Sequence, residues 1–223
     1  MSNHRNLGDL VKERLEKDFV LAPLDTGTDA RLSKKGMMFT TESYDIGGIA
    51  HLCILSMRAM MGLMKMETAV ISSYGKDVPL INMDWVSAFG NETQMAELYN
   101  DQLEPYPQEL LDEFEEIKEA DADLPDYPSS PAWYDSIIYP CSYRKRGKKI
   151  SDRLSAAAER YTDVFCCQLK DAPECDPSAK TSKVSEFASR LFTEGGPAVS
   201  QVRKLFGDEI ARRLILTHMY GVK

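Results

Sequence analysis

The sequence is poor in the residues that usually hold metal ions. It has three histidines in 223 residues, and its five cysteines include no CxxC pair and no zinc-finger spacing. The odd number of cysteines also argues against a framework of disulfides. We therefore expect neither a metal site nor a disulfide framework.

Sequence signatures of nucleotide binding, serine hydrolysis and export are absent as well. The sequence contains no GxGxxG, no GxxxxGKS or GxxxxGKT, and no GxSxG. Its first residues have no apolar signal-peptide core, and no apolar run approaches the length of a membrane span. The formal net charge of −8 disfavours nucleic acid as a partner. We expect a cytoplasmic protein with no nucleic-acid or membrane partner.

The composition is typical of a globular protein. Hydrophobic residues make up 43% of the chain and charged residues 28%. A chain of 223 residues is long enough to bury a sizeable core and short enough to form one unit. We expect a single domain over residues 1–223.

The chain is organised around residues 49–103, where apolar and polar side chains alternate. Period-two alternation predicts four strands, over residues 49–57, 63–73, 79–88 and 93–100. The links between them are short, with Gly75 and Gly90-Asn91 as turn formers. Such short links predict an antiparallel meander.

Helical spacing of apolar residues predicts helices on both sides of this meander. The predicted helices cover residues 6–20, 108–120, 150–169 and 179–193, followed by a last stretch that Pro197 starts and Gly207 interrupts. Residues 21–38 are predicted as a connector before a short strand, 121–132 as a loop, and 133–140 as a strand returning to the sheet. The order predicts an α+β fold, a three-layer α/β/α sandwich with a central antiparallel sheet flanked by helices.

Several polar residues interrupt the predicted strands. His51 and Cys53 are two residues apart and therefore share a face of the first strand. Glu67 lies in the middle of the second strand, and Asp101 closes the fourth. Because a meander places these strands side by side, we expect His51, Glu67 and Asp101 to converge on one face and to exchange protons there.

A cluster of five basic residues, from Arg144 to Lys149, stands out in this acidic chain. It is either a solvated loop, a docking patch for an acidic partner, or a clamp for substrate carboxylates. Arg144, Arg146 and Lys148 are the candidates in the cluster, and Arg58 is a further one.

Three stretches of the sequence resemble the ferredoxin-dependent bilin reductases and the related red chlorophyll catabolite reductases. AHLCIL at 50–55 is similar to a family strand that carries a histidine and, two residues later, a glutamate. The stretch 67–86 ends in VPLINMDWV, which is similar to the family's proline-apolar run LPLFGxDIV. KLFGDEIARRLILTHMYG at 204–221 is similar to the family's last helix. The order and spacing of these motifs carry the resemblance, which covers most of the chain.

The resemblance assigns roles to individual residues, with two departures from the family pattern. His51 falls on the family's strand histidine, and Asp101 falls at its central aspartate. Cys53 stands where the family has a proton-donating glutamate, and Glu67 stands where some members have a catalytic histidine. The resemblance thus implies Asp101 as central proton donor, Glu67 as second donor or relay, and His51 as an orienting or shuttling group.

The resemblance also implies an activity. Ferredoxin or flavodoxin would deliver electrons one at a time to a bound linear tetrapyrrole (bilin), with no tightly bound flavin or metal in the protein. Cys53 and the basic residues Arg58, Arg144, Arg146 and Lys148 would contact the substrate. Two alternatives remain open: a reductase of the same fold with a different conjugated substrate, and a tetrapyrrole-binding protein without catalysis.

Overall fold

The computed structural model describes residues 6–128, 132–196 and 199–222. Its centre is one antiparallel sheet of eight strands, in the order β1-β3-β4-β5-β6-β7-β8, with β2 paired to β3. The strands are β1 (Leu21–Leu24), β2 (Arg31–Lys34), β3 (Met37–Ile46), β4 (Ala50–Ala59), β5 (Met64–Ser73), β6 (Leu80–Ala88), β7 (Asn91–Tyr99) and β8 (Tyr143–Gly147). The helices are α1 (Leu7–Leu15), α2 (Gln108–Ala120), α3 (Ser151–Asp171), α4 (Pro177–Glu194), α5 (Val199–Phe206) and α6 (Asp208–Arg212), and a π-helical segment, Arg213–Met219, continues α6.

The helices form one layer on each face of the sheet. Helices α1, α2 and α3 cover the face that carries Leu52, Ile71 and Ile81. Helices α4, α5 and α6 cover part of the opposite face, which carries Leu55 and Val70. The predicted α/β/α sandwich with a central antiparallel sheet is therefore confirmed.

The four meander strands lie close to their predicted positions, as β4 to β7. Each is paired to its neighbour in sequence, because the connecting turns are short. The turn residues Gly62 and Gly90 have φ values of 89° and 78°, a backbone region that glycine enters without steric cost. The alternation of side chains therefore predicted both the strands and their pairing.

Three predictions about the other strands are wrong. The connector 21–38 contains β1 and β2, and the short strand expected near Met37 is the ten-residue β3. Residues 133–140 do not form a strand: Trp133–Ile137 is a 3₁₀ turn, because the Asp135 carboxylate accepts a hydrogen bond from the Ala132 amide and curls the chain.

The basic segment SYRKRGKK is not a loop, since Tyr143–Gly147 forms β8 and pairs with β7. Its side chains alternate as a strand requires, with Tyr143 and Lys145 buried and Arg146 exposed. The predicted helix start at Pro197 lies outside the described residues.

Candidate functional site

A row of polar side chains crosses the centre of the sheet on the face that α4 to α6 cover, which we call the site face. The register places Thr68 of β5 beside Asp84 of β6, Asp84 beside Met95 of β7, and Met95 beside Arg144 of β8. Residues directly opposite each other in neighbouring strands lie on the same face. The adjacent row contains Cys53, Val70, Asn82 and Glu97.

Asp84 is the carboxyl at the centre of this face. Its Oδ1 accepts a hydrogen bond from the Thr68 hydroxyl, and its Oδ2 accepts one from Asn82 Nδ2 at 2.7 Å. Burial raises the pKa of Asp84 to about 6, and the negative charge of Glu97 adds to the increase. The residue as a whole is nevertheless only partly buried. A carboxyl with this pKa can donate or accept a proton near neutral pH.

Glu97 is held next to Asp84 by two partners. It accepts hydrogen bonds from Arg144 Nε at 2.7 Å and from the Tyr99 hydroxyl. The Arg144 guanidinium also lies 3.9 Å from Asp135 of the 3₁₀ turn. These partners fix the position of the Glu97 carboxylate on a largely buried surface, where it acts on the pKa of Asp84.

Aromatic side chains enclose one side of the site. Tyr134 packs against Tyr99 at a ring-centroid distance of 6.2 Å, and Phe187 of α4 packs against Tyr99 at 4.9 Å and Tyr220 at 5.5 Å. Burial raises the pKa of the Tyr99, Tyr134 and Tyr220 phenols, so they stay neutral donors near neutral pH.

His51 lies on the site face, where it anchors the C-terminal segment. Its Nε2 donates a hydrogen bond to the His218 carbonyl at 2.7 Å, which the Ser43 hydroxyl also donates to, and Ser72 donates to the Tyr220 carbonyl. Burial lowers the pKa of His51, so the ring is neutral. His51 therefore positions the segment that carries Tyr220, and the role as orienting group or proton shuttle stays a prediction.

Cys53 also lies on the site face, two residues along β4 from His51. The thiol is fully buried, and burial raises its pKa to about 12. It is therefore a neutral thiol near neutral pH and a weaker acid than the glutamate that the sequence resemblance implies for this position.

The expectation that Glu67 converges with His51 is wrong, because Glu67 lies on the opposite face of the sheet. It pairs across the sheet with Ser56 and Trp85, whereas His51 pairs with Ser72. Its carboxylate accepts hydrogen bonds from the Leu7 amide at 2.6 Å and from Asn6 Nδ2 at 3.1 Å. Glu67 thus caps the first turn of α1, where the helix dipole favours a negative charge.

Asp101 follows the end of β7 and is bound by structural partners. Its Oδ1 accepts a hydrogen bond from the Leu80 amide at 2.7 Å, and its Oδ2 lies 3.0 Å from Nζ of Lys180. Burial raises the pKa of Asp101, although the Lys180 charge opposes the increase. Asp101 is buried and its carboxylate is bound by the Leu80 amide and the Lys180 ammonium, whereas Asp84 is only partly buried.

The basic candidates divide between the two faces. Arg144 and Arg146 lie on the site face in adjacent rows, with Arg144 engaged by Glu97 and Arg146 exposed. Arg58 pairs with Lys65 on the opposite face, so it cannot reach the same ligand. Lys148 follows the end of β8 and is exposed.

The sequence interpretation did not assign roles to Asp84 and Glu97. One signal was present: Asp84 is a lone carboxyl within the apolar strand LINMDWV, a placement that is costly unless the group has partners or a function. Glu97 carries no such signal, because the sequence pattern does not pair its strand with the distant basic segment that contains Arg144.

Comparison with solved structures shows which known fold the chain shares. The chain superimposes on a crystal structure of phytochromobilin synthase from tomato in complex with biliverdin, with a TM-score of 0.75 and 15% sequence identity, over 97% of this chain and 83% of that chain. Phytochromobilin synthase is a ferredoxin-dependent bilin reductase, so the resemblance predicted from the sequence is confirmed at the level of the fold. No protein-family model matches the sequence, and no curated protein matches it.

Proposed function

We propose that this protein is a ferredoxin-dependent reductase of a linear tetrapyrrole, with its substrate on the site face and Asp84 as the proton donor. The observation that carries the proposal is Asp84, which is only partly buried at the centre of the sheet and has a pKa of about 6. The fold supports the proposal, because the tomato protein with the same fold was crystallised with biliverdin.

The open part of the site face suits a large flat ligand. Beyond Asp84, it carries the partly exposed apolar side chains of Met64, Met66, Val86 and Met95. Methionine side chains are flexible and polarizable, so they adapt to the faces of conjugated rings. Arg146 lies on the same face and is exposed, which makes it the candidate partner for a substrate carboxylate.

The proposed chemistry divides electrons and protons between two sources. Reduction of one double bond consumes two electrons, delivered singly by two reduced ferredoxins or by a flavodoxin, and two protons. Asp84 gives a proton to the reduced substrate and regains one from solvent, for which a pKa near the working pH is suited. Glu97 helps to keep the proton on Asp84 until the substrate takes it, because its charge disfavours a second carboxylate nearby.

A titration with biliverdin, followed by chemically or photochemically reduced ferredoxin, tests the proposal. The protein should give a new bound absorbance band, which then changes stepwise to that of a reduced pigment. Asp84→Asn should keep the bound spectrum and lose turnover, whereas the matched exchange Glu67→Gln on the opposite face should keep both. Binding without reduction by any donor would favour a carrier, and full turnover in Asp84→Asn would remove Asp84 from the mechanism.

The second candidate is a reductase of the same fold that acts on a different conjugated molecule. The neutral thiol of Cys53, with a pKa of about 12, favours it, because the family's proton-donating glutamate is missing there. A folded protein that binds no biliverdin would support this candidate over the first.

A further inference from the structure

One end of the sheet combines exposed apolar side chains with a cluster of basic ones, and we call it the hairpin end. It consists of residues 31–38, 57–66, 86–91 and 146–149. The strand register brings these segments into one row, together with Glu92 of β7, which lies just outside them. The cross-strand pairs along the row are Met38 with Arg58, Arg58 with Lys65, Lys65 with Ser87, Ser87 with Glu92, and Glu92 with Gly147. At the usual strand spacing this row is about 24 Å wide.

The tips of two neighbouring hairpins at this end are apolar and exposed. Met61 is fully exposed, and Leu63 and Phe89 keep 58% and 64% of their surfaces exposed. Met60 lies in the same tip as Met61, between β4 and β5. The Phe89 amide of the other tip donates a hydrogen bond to the Leu63 carbonyl, and this bond joins the two tips. Large apolar side chains grouped in this way on a protein surface usually mark an interaction site.

The backbone at the hairpin end is strained to present these side chains. In the described ranges, five residues other than glycine have positive φ, and all five lie here: Lys35, Met60, Met61, Phe89 and Lys149. Glycine would fill each position without steric cost, yet the chain carries long apolar or basic side chains there. Strain of this kind persists at functional surfaces.

The charge of the hairpin end is opposite to that of the whole chain. Its segments contain no aspartate or glutamate but eight basic residues: Arg31, Lys34, Lys35, Arg58, Lys65, Arg146, Lys148 and Lys149. The nearest carboxylates in the strands are engaged elsewhere, Glu67 by the Leu7 amide and Glu92 by the Ser151 hydroxyl. The rest of the chain is acidic, so this end attracts a negatively charged surface and orients the protein toward it.

We propose that the hairpin end docks the protein on an anionic lipid bilayer, with Met60, Met61, Leu63 and Phe89 inserted at the level of the headgroups. Projecting apolar tips surrounded by lysine and arginine are the features that bind a membrane surface peripherally. A second copy of the chain is a poor partner, because it would place two basic rows opposite each other and they would repel. A protein partner would need a separate pocket for each protruding apolar side chain. The proposal does not depend on the proposed function.

This surface docking differs from the sequence-based expectation of no membrane partner, which rested on the absence of a spanning segment. Among the described residues, no helix is long and apolar enough to cross a membrane. Surface docking needs no such helix, since hairpin tips reach only the interface. The open part of the site face extends to the same hairpins. Docking would therefore place the opening through which a ligand reaches the site face next to the lipid surface.

Flotation with lipid vesicles tests the proposal. The protein should bind vesicles of phosphatidylcholine and phosphatidylglycerol mixed about two to one, and not vesicles of phosphatidylcholine alone. Raising the salt from ~0.1 M to ~0.5 M should weaken binding, because the shorter screening length reduces the attraction. Failure of the wild-type protein to bind either kind of vesicle would overturn the proposal.

Glycine variants separate docking from folding, because glycine suits positive φ. Met61→Gly/Phe89→Gly and Lys35→Gly/Lys149→Gly should keep the wild-type melting temperature and weaken anionic-vesicle binding about tenfold or more. Val20→Ser and Lys17→Ser are matched controls: Val20 is exposed near Gly47, at the opposite end of the sheet, and both should bind like the wild type. Unchanged vesicle binding in the glycine variants, or a concentration-dependent dimer that the glycine variants abolish, would overturn the proposal.

Discussion

The Asp101 carboxylate is paired with the ammonium of Lys180, whose side chain is completely buried, at 3.0 Å. Lys180 Nζ also donates to the carbonyls of Val78 and Asp101 at 2.9 Å. The pair therefore links α4 to the start of β6 and the end of β7. Its geometry is that of a structural ion pair, because both charged groups are already bound by partners within the protein.

Asp101→Asn should lower the free energy of unfolding by about 3 kcal/mol, because it leaves the buried Lys180 charge without its counterion. Urea denaturation measures the change. The double variant Asp101→Asn/Lys180→Met should recover much of the loss, since it removes both charges. A single variant as stable as the wild type but without turnover would instead make Asp101 the proton donor.

Glu67→Ala should destabilise the protein by about 1 kcal/mol, since it removes the acceptor for the Leu7 amide at the start of α1. Glu67→Gln keeps an acceptor oxygen and should fall between wild type and Glu67→Ala. Both variants should bind the substrate and turn it over normally once folded, because Glu67 faces α1. Loss of turnover in folded Glu67→Gln would restore Glu67 to the mechanism.

The predictable part of the fold follows local rules. Period-two alternation and glycine turns determine β4 to β7, and apolar stripes determine α2 to α4. Strand β8 and the turn at Trp133–Ile137 were missed for a physical reason. The basic residues of β8 resemble a solvated loop, and its buried Tyr143 is explained only by its pairing with β7, which is distant in sequence.

The site depends on the pairing register of neighbouring strands, which the sequence pattern does not specify. Alternation alone puts Glu67 and Asp84 on the faces of their own strands, but it does not say which faces coincide. The observed pairing puts Asp84 beside Thr68 and puts Glu67 beside Trp85. A shift of one residue would exchange these faces, so the prediction of three converging groups was sensitive to a single step.

The neutral state of His51 makes the protein sensitive to acid. Its pKa is lowered in the folded protein, so the unfolded chain binds the proton first as the pH falls below about 6.5. The contribution of His51 to stability is therefore complete above this pH and is lost below it. His51→Gln keeps a donor for the His218 carbonyl but does not titrate, so the variant should lose less stability than the wild type between about pH 7 and 5.

Denaturation curves at several pH values, read by tryptophan fluorescence, check this prediction. His51→Ala serves as a second variant, since it leaves the His218 carbonyl with only the Ser43 donor and should be less stable at every pH. Parallel pH profiles for wild type and His51→Gln would instead mean that the pKa of His51 is the same in the folded and the unfolded protein.

Asp84 makes stability depend on pH in the opposite direction from His51, so that stability falls as the pH rises. Its folded pKa of about 6 exceeds its ordinary value of about 3.9, so the unfolded chain ionises first as the pH rises. Stability is therefore lost between about pH 4 and 6, and the deficit above pH 6 is about 3 kcal/mol. Asp84→Asn removes this deficit and should be more stable than the wild type at pH 8, by an amount that vanishes below about pH 4. Equal stability at both pH values would mean that the Asp84 carboxyl has an ordinary pKa. A variant that gains stability and loses turnover would show that the chain keeps a buried carboxyl at this position for its chemistry, at the expense of stability.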